Sequence, residues 1–128
     1  MNSELLKVIK ASRSWEFQWG THDCCTLANE VCKATVGKDL IGDKQNEYNS
    51  KRSSLKMLRK HNVTVVSVLD SHFNQIGFSF TRDGDLVMIE SPHGPALSVK
   101  VHGGVWCMGE HGAMMLKDFK VLQCWRVE

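Results

Sequence analysis

The sequence predicts an α+β domain, with N-terminal helices packed on a C-terminal antiparallel sheet of five or six strands. Three observations carry that expectation. Up to His61 the apolar residues recur at helical spacing, whereas beyond Phe78 they alternate with polar ones at a period of two. The second half is punctuated by turn chemistry at Asp83-Gly84-Asp85, Gly103-Gly104 and Glu110-His111-Gly112. Helices first and strands second is the order in which helices cover one face of a meandering sheet. A chain of 128 residues fits one domain over residues 1–128 and no second. That size buries roughly two-thirds of the surface exposed by the unfolded chain, so neither disulfides nor metals are needed for stability.

Ser3 is a suitable N-cap for a short first helix carrying Leu5, Leu6, Val8 and Ile9. A loop holding Trp15, Phe17 and Trp19 follows and closes at Gly20. The second helix is expected from about Asp23 to Val36, ending at Gly37, where a residue in the left-handed conformation stops a helix. A third is expected between Gln45 and His61, with Tyr48, Leu55 and Leu58 as its apolar stripe and Lys51, Arg52, Lys56, Arg59 and Lys60 around it. Val65–Ile76 reads equally as a short helix or a strand. Strands are expected at Phe78–Thr81, Leu86–Glu90, Leu97–Val101, Val105–Met108, Ala113–Leu116 and Lys120–Val127, with Ser91–Pro95 as a loop.

Composition narrows the function classes. Hydrophobic residues at 42% and charged ones at 23% are ordinary globular usage, which argues against a disordered chain. A net charge of +2 is too small to drive nucleic-acid binding by bulk electrostatics. The start lacks a basic region followed by an apolar run, so no signal peptide is expected. The most apolar stretch, Val63–Leu69, is interrupted by Thr64 and Ser67 and is too short to span a bilayer, so no membrane insertion is expected. Five cysteines, an odd number with Cys24 and Cys25 adjacent, fit free thiols.

Chemistry concentrates at Asp23-Cys24-Cys25. A cysteine in the first helical turn faces unpaired N–H groups and the positive end of the helix dipole, both of which favour thiolate over thiol. At roughly 100° per residue, Leu27, Ala28, Val31, Ala34 and Thr35 fall within about 80° of Cys24, so Cys24 is central on the buried face. Burial as a small hydrophobe is the alternative use of such a residue.

Phe17-Gln18-Trp19-Gly20-Thr21-His22-Asp23-Cys24 resembles the F-x-W-G-x-x-D-C stretch of the NlpC-type cell-wall cysteine peptidases. More closely, the chain resembles an uncharacterised family of phage-encoded relatives found among tail genes. Asp83-Gly84-Asp85-Leu86-Val87 is similar to the family's R-G-D-[LV]-V, and Cys124-Trp125-Arg126-Val127 to the A-W-R-[VI] ending of the phage relatives. The resemblance spans Trp15 to the C-terminus, and only its first motif is specific. It implies a papain-like, NlpC-like fold with Cys24 as nucleophile.

The same resemblance exposes a departure. A peptidase of this kind needs a histidine within hydrogen-bond reach of the thiol. The family places it at the start of H-V-G-I-Y-L, where this chain has Ala96 in Ala96-Leu97-Ser98-Val99-Lys100-Val101. His102 shares the parity of Ala96 but lies roughly 20 Å along a strand rising about 3.3 Å per residue. His93, in the preceding loop, is the substitute on this side, and Glu110 or His111 would be the orienting partner. Small residues at Ala96 and Ser98 would let the Cys24 helix pack close to the sheet.

The remaining constellations carry less. His102, Cys107 and His111, or His22, Cys24 and Cys25, lack the C-x-x-C or H-x-x-x-H spacing of structural zinc, so no metal or other cofactor is expected. Lys51–Lys60 has no interleaved aromatics and reads as a solvated helix face, not a nucleic-acid site. Trp15 and Trp19 would stack on a sugar ring as substrate-binding residues, or plug the gap between loop and sheet.

The resulting expectation is a phage virion protein of the tail or tail tip. It would be a pseudoenzyme on the NlpC-like fold, made in the host cytoplasm and acting by contact with other tail proteins and, secondarily, with peptidoglycan. The alternative is an active cysteine peptidase or amidase that cleaves peptidoglycan cross-links during entry, with Cys24 as nucleophile and His93 as base.

Overall fold

The computed structural model describes residues 2–128, with the side chains of residues 43 and 46 left aside. Four α-helices precede most of a six-stranded antiparallel sheet: α1 (Ser3–Ser12), α2 (Cys24–Val36), α3 (Lys51–Lys60) and α4 (Val65–His72). The strands are β1 (Gln75–Ile76), β2 (Leu86–Ser91), β3 (Gly94–Val101), β4 (Gly104–Gly109), β5 (Gly112–Leu116) and β6 (Val121–Trp125). Their order is β1-β6-β2-β3-β4-β5. Four consecutive strands form a meander, and β6 returns to lie between β1 and β2. The expected α+β class, with helices on a six-stranded sheet, is what the chain adopts.

Each helix start has a local cause. The Asn2 side chain, one residue before the expected Ser3, accepts from Glu4 N and Leu5 N. α2 begins and ends as its caps dictate, between Asp23 and a left-handed Gly37 at φ 71°. The N–H groups of Gly37 and Lys38 bond back to the carbonyls of Lys33 and Cys32. α3 and α4 open with reciprocal boxes, Ser50 with Ser53 and Thr64 with Ser67.

The helices bury one face of the sheet. Leu5 and Ile9 of α1, Leu27, Ala28 and Val31 of α2, and Leu69 of α4 pack with Leu86, Met88, Leu97, Val99, Val101, Met108 and Trp125. Each such aliphatic side chain, fully buried, contributes about 1.5–3 kcal/mol. Indole donors fasten the layers: Trp106 Nε1 donates to Ser12 Oγ and Trp125 Nε1 to Asp70 Oδ1, each at 2.8 Å. A second cluster, Val87, Ile89, Val105 and Cys124, fills the opposite face with Ala96 and Phe119 packed against it. The central strand β2 is therefore buried on both faces.

Four sequence expectations are corrected. The third helix does not run on from Gln45: residues Gly42–Glu47 form a 3₁₀ turn, Tyr48 is extended, and α3 starts afresh after Ser50. Phe78–Phe80 is a 3₁₀ turn instead of a strand. Ser91 and Gly94 are paired, so the expected Ser91–Pro95 loop shrinks to the two-residue turn Pro92-His93. Finally, Ala96 and Ser98 do not face α2. Leu97, Val99 and Val101 do, while Ala96 packs in the second cluster and Ser98 Oγ donates to Val87 O at 2.7 Å. A period of two sets the larger apolar residues of β3 against the helices, and a shift of one residue exchanges the faces.

Candidate functional site

The site grows from the Trp15–Asp23 loop. Gln18 and His22 exchange backbone hydrogen bonds of 3.1 and 2.9 Å, closing a tight turn with Gly20 at φ 88°. Asp23, 2% exposed, holds this turn to the rest of the molecule. Its Oδ2 accepts from Gly20 N and from the Tyr48 hydroxyl, and its Oδ1 accepts from Thr26 N, all at 2.8 Å. Thr26 Oγ1 in turn accepts from Asp23 N at 2.8 Å, completing the capping box. One carboxylate thus fixes the Trp-Gly loop, the segment before α3 and the first turn of α2.

Cys24 and Cys25 are half-buried at that first turn. The neighbouring Cys25 thiol is the main influence holding the Cys24 thiol below its ordinary pKa. Burial and the Asp23 charge oppose the shift, while N–H groups of Leu97 and of Cys24 itself reinforce it. Cys25 is pushed well up, because its proton is committed to Cys24 and because it is buried. Burial also pushes Cys32 up to about 12, Cys107 up to about 11, and Cys124 upward.

Sheet geometry explains the Leu97 donor. Both backbone groups of Lys100 bond toward the β2 side, so alternate residues Val99 and Val101 bond toward β4. The β3–β4 ladder runs only from Val101↔Gly104 to Val99↔Trp106. Leu97 lies one step beyond it, so its N–H has no strand partner on that side and serves the sulfur instead.

A cavity of about 150 Å³ adjoins the two thiols. Trp19, Tyr48 and Ala28 line it with Met57, Leu58, Val68, Leu69 and Leu97, and its wall is almost wholly apolar. Nitrogen donors and carboxylates other than Asp23 are scarce there: Asn29 bonds Asp39 and Leu40 N, which leaves Lys44 as the basic side chain at the rim.

The residues singled out by sequence divide accordingly. Cys24 is where the helical wheel put it. His93, its side chain 73% exposed at the β2–β3 turn, pairs with Glu110 at 3.1 Å and is not among the residues bonded to Cys24. Ala96 is on the far face of the sheet, and the side chain presented to Cys24 from β3 is Leu97. His22 stacks on Trp15 at 4.3 Å, so Trp15 is occupied as packing. Trp19 meets Phe17 edge-on and reaches the cavity. Among the described residues no group of three or more His, Cys, Asp and Glu side chains is arranged to hold a metal ion. Leu97, Tyr48 and Cys25 are the site residues that sequence reasoning missed. The β3 alternation carried the signal for Leu97, and nothing local marked Tyr48.

Over residues 1–127 the chain matches the model of a family described as a domain of unknown function, DUF6950. The chain belongs to that family. Comparison with curated proteins and with solved structures gives no match.

This DUF6950 chain offers a direct test of its thiol electrostatics. Iodoacetamide at neutral pH is expected to alkylate Cys24 before the other four cysteines. The pH midpoint of that rate should fall below the ordinary thiol value of about 8.5. First labelling at Cys25, or resistance of Cys24 until the protein is denatured, would contradict the lowered pKa of Cys24.

Proposed function

We propose that the protein is a tail or tail-tip component of a phage virion, built on an NlpC-like, papain-like fold that has lost peptidase chemistry and acts by protein–protein contact. The observation that carries the loss of catalysis is the pairing of Cys24 with Leu97. Expulsion of an amine from a tetrahedral intermediate requires a proton donor, which the family's histidine would supply. Here Leu97 is the β3 side chain packed with Cys24, and His93 lies in the exposed β2–β3 turn and is not among the groups acting on Cys24. The helix start packed on an antiparallel sheet and the F-x-W-G-x-x-D-C stretch support the papain-like reading, and the W-R-V ending supports the phage reading. Contact partners would be other tail proteins and, secondarily, peptidoglycan.

The lowered thiol pKa of Cys24 favours the second reading, a peptidoglycan hydrolase. Two measurements separate them. Immunoblots of purified virions are expected to retain the chain, and phage carrying Cys24→Ala should infect normally. Purified peptidoglycan incubated with the protein is expected to yield no new amino termini. Release of termini that disappears in Cys24→Ala, or infectivity lost with normal particle assembly, would favour the hydrolase instead.

A further inference from the structure

We infer that the cavity beside Cys24 binds a short apolar acyl chain, and that Cys24 accepts that chain covalently from a thioester. The cavity comes first. A void of about 150 Å³ with an apolar wall is of the size that takes a benzene-sized group, so a six-carbon acyl chain suits it and a long fatty chain does not. Cys24 lines this cavity together with the side chains of Met57, Leu58, Val68 and Leu69. A chain seated there brings a carbonyl carbon at its head toward the sulfur.

The missing histidine decides which acyl donor can react. An amide or a simple ester leaves as a strong base and needs a general acid. A thioester leaves as a thiolate whose basicity matches that of cysteine, so no proton donor is required at the moment of cleavage. The step balances without any co-reactant. The Cys24 sulfur forms a bond to the carbonyl carbon, the donor's carbon–sulfur bond breaks, and its electron pair departs on the leaving sulfur. That sulfur takes up from solvent the proton Cys24 released. Among the described residues no histidine lines the cavity to activate water, so the product rests as acyl-Cys24. This inference stands independently of any place in a virion.

The experiment incubates the full chain with the N-acetylcysteamine thioesters of acetate and of hexanoate, read by intact mass and peptide mapping. One acyl group per chain is expected, on Cys24, removable by neutral hydroxylamine and absent in Cys24→Ala. Each methylene buried in the wall should speed transfer about fourfold, so hexanoyl should exceed acetyl by at least about tenfold. Ala28→Leu, which fills the cavity, should remove that preference, bringing the two rates together. If that variant does not fold, the two chain lengths on the unmodified protein decide alone. Equal rates for the two esters would overturn the acyl site, and labelling at another cysteine, or none, would overturn Cys24 as acceptor.

Discussion

Asp85→Ala is expected to lower stability by about 3–5 kcal/mol, as removal of one partner of a buried ion pair does. Asp85 is 2% exposed at the entrance to β2. Its Oδ2 accepts from Arg126 Nε at 3.0 Å and from Arg82 N at 2.8 Å, and its Oδ1 accepts from Val127 N at 2.9 Å. The turn before β2 and the end of the chain beyond β6 are thus held by one side chain. Its removal leaves the Arg126 guanidinium half of a pair and strands two backbone donors. Since small domains have only about 5–15 kcal/mol to lose, much of the margin would go. Urea unfolding should show a lower midpoint with an unchanged slope. Asp85→Asn, which keeps the shape and an acceptor, should lose less. A midpoint unmoved by Asp85→Ala would contradict this account of the β2 entrance.

Gly20→Ala should be the second severe substitution, lowering the thermal midpoint by about 10 °C for a loss near 3 kcal/mol. The backbone at Gly20 has φ 88°, and a Cβ there would sit 2.3 Å from the Tyr48 carbonyl oxygen and 3.2 Å from that of Gln45. The loop must move away, and with it goes the Gly20 N–H bond to Asp23. A hydrogen bond to a charged group is worth about 1.5–3 kcal/mol, and the left-handed conformation costs an L-residue about 1–2 more. Gly37→Ala is the control. Its φ of 71° is similar, but nothing lies within 4 Å of the added Cβ. It should cost only the conformational part, about 1 kcal/mol. Equal losses at the two positions would mean that conformation, and not the approach of Tyr48, sets the effect at Gly20.

The contrast between α2 and the segment before α3 shows where sequence reasoning succeeds. Asp23, the apolar face of Leu27, Ala28 and Val31, and Gly37 all lie within one helix, so its bounds were legible. Thr26 and Asn29 are buried although they lie off that apolar face. Thr26 closes the capping box, and Asn29 bonds Asp39 and Leu40 N in the chain beyond the helix. Before α3, the apolar Tyr48 looked like the first member of a helical stripe. Its hydroxyl is committed to Asp23, and the backbone there is extended at φ −142° and ψ 149°. The cap that starts α3 is also hard to read, since Ser53 stands where a capping box usually has Glu or Gln.

By itself the sequence determined the α+β class, the helix that carries Cys24 and the strand pattern of the second half. Periodicity, caps and turn residues act between near neighbours, so they are written locally. Tertiary structure alone decided that Leu97 and not Ala96 meets the sulfur, that β4 stops pairing in time to free the Leu97 N–H, and that an apolar cavity opens beside the thiols. Those outcomes depend on the register of β3 and on where α3 and α4 come to rest, and they are fixed by packing between segments far apart in the chain.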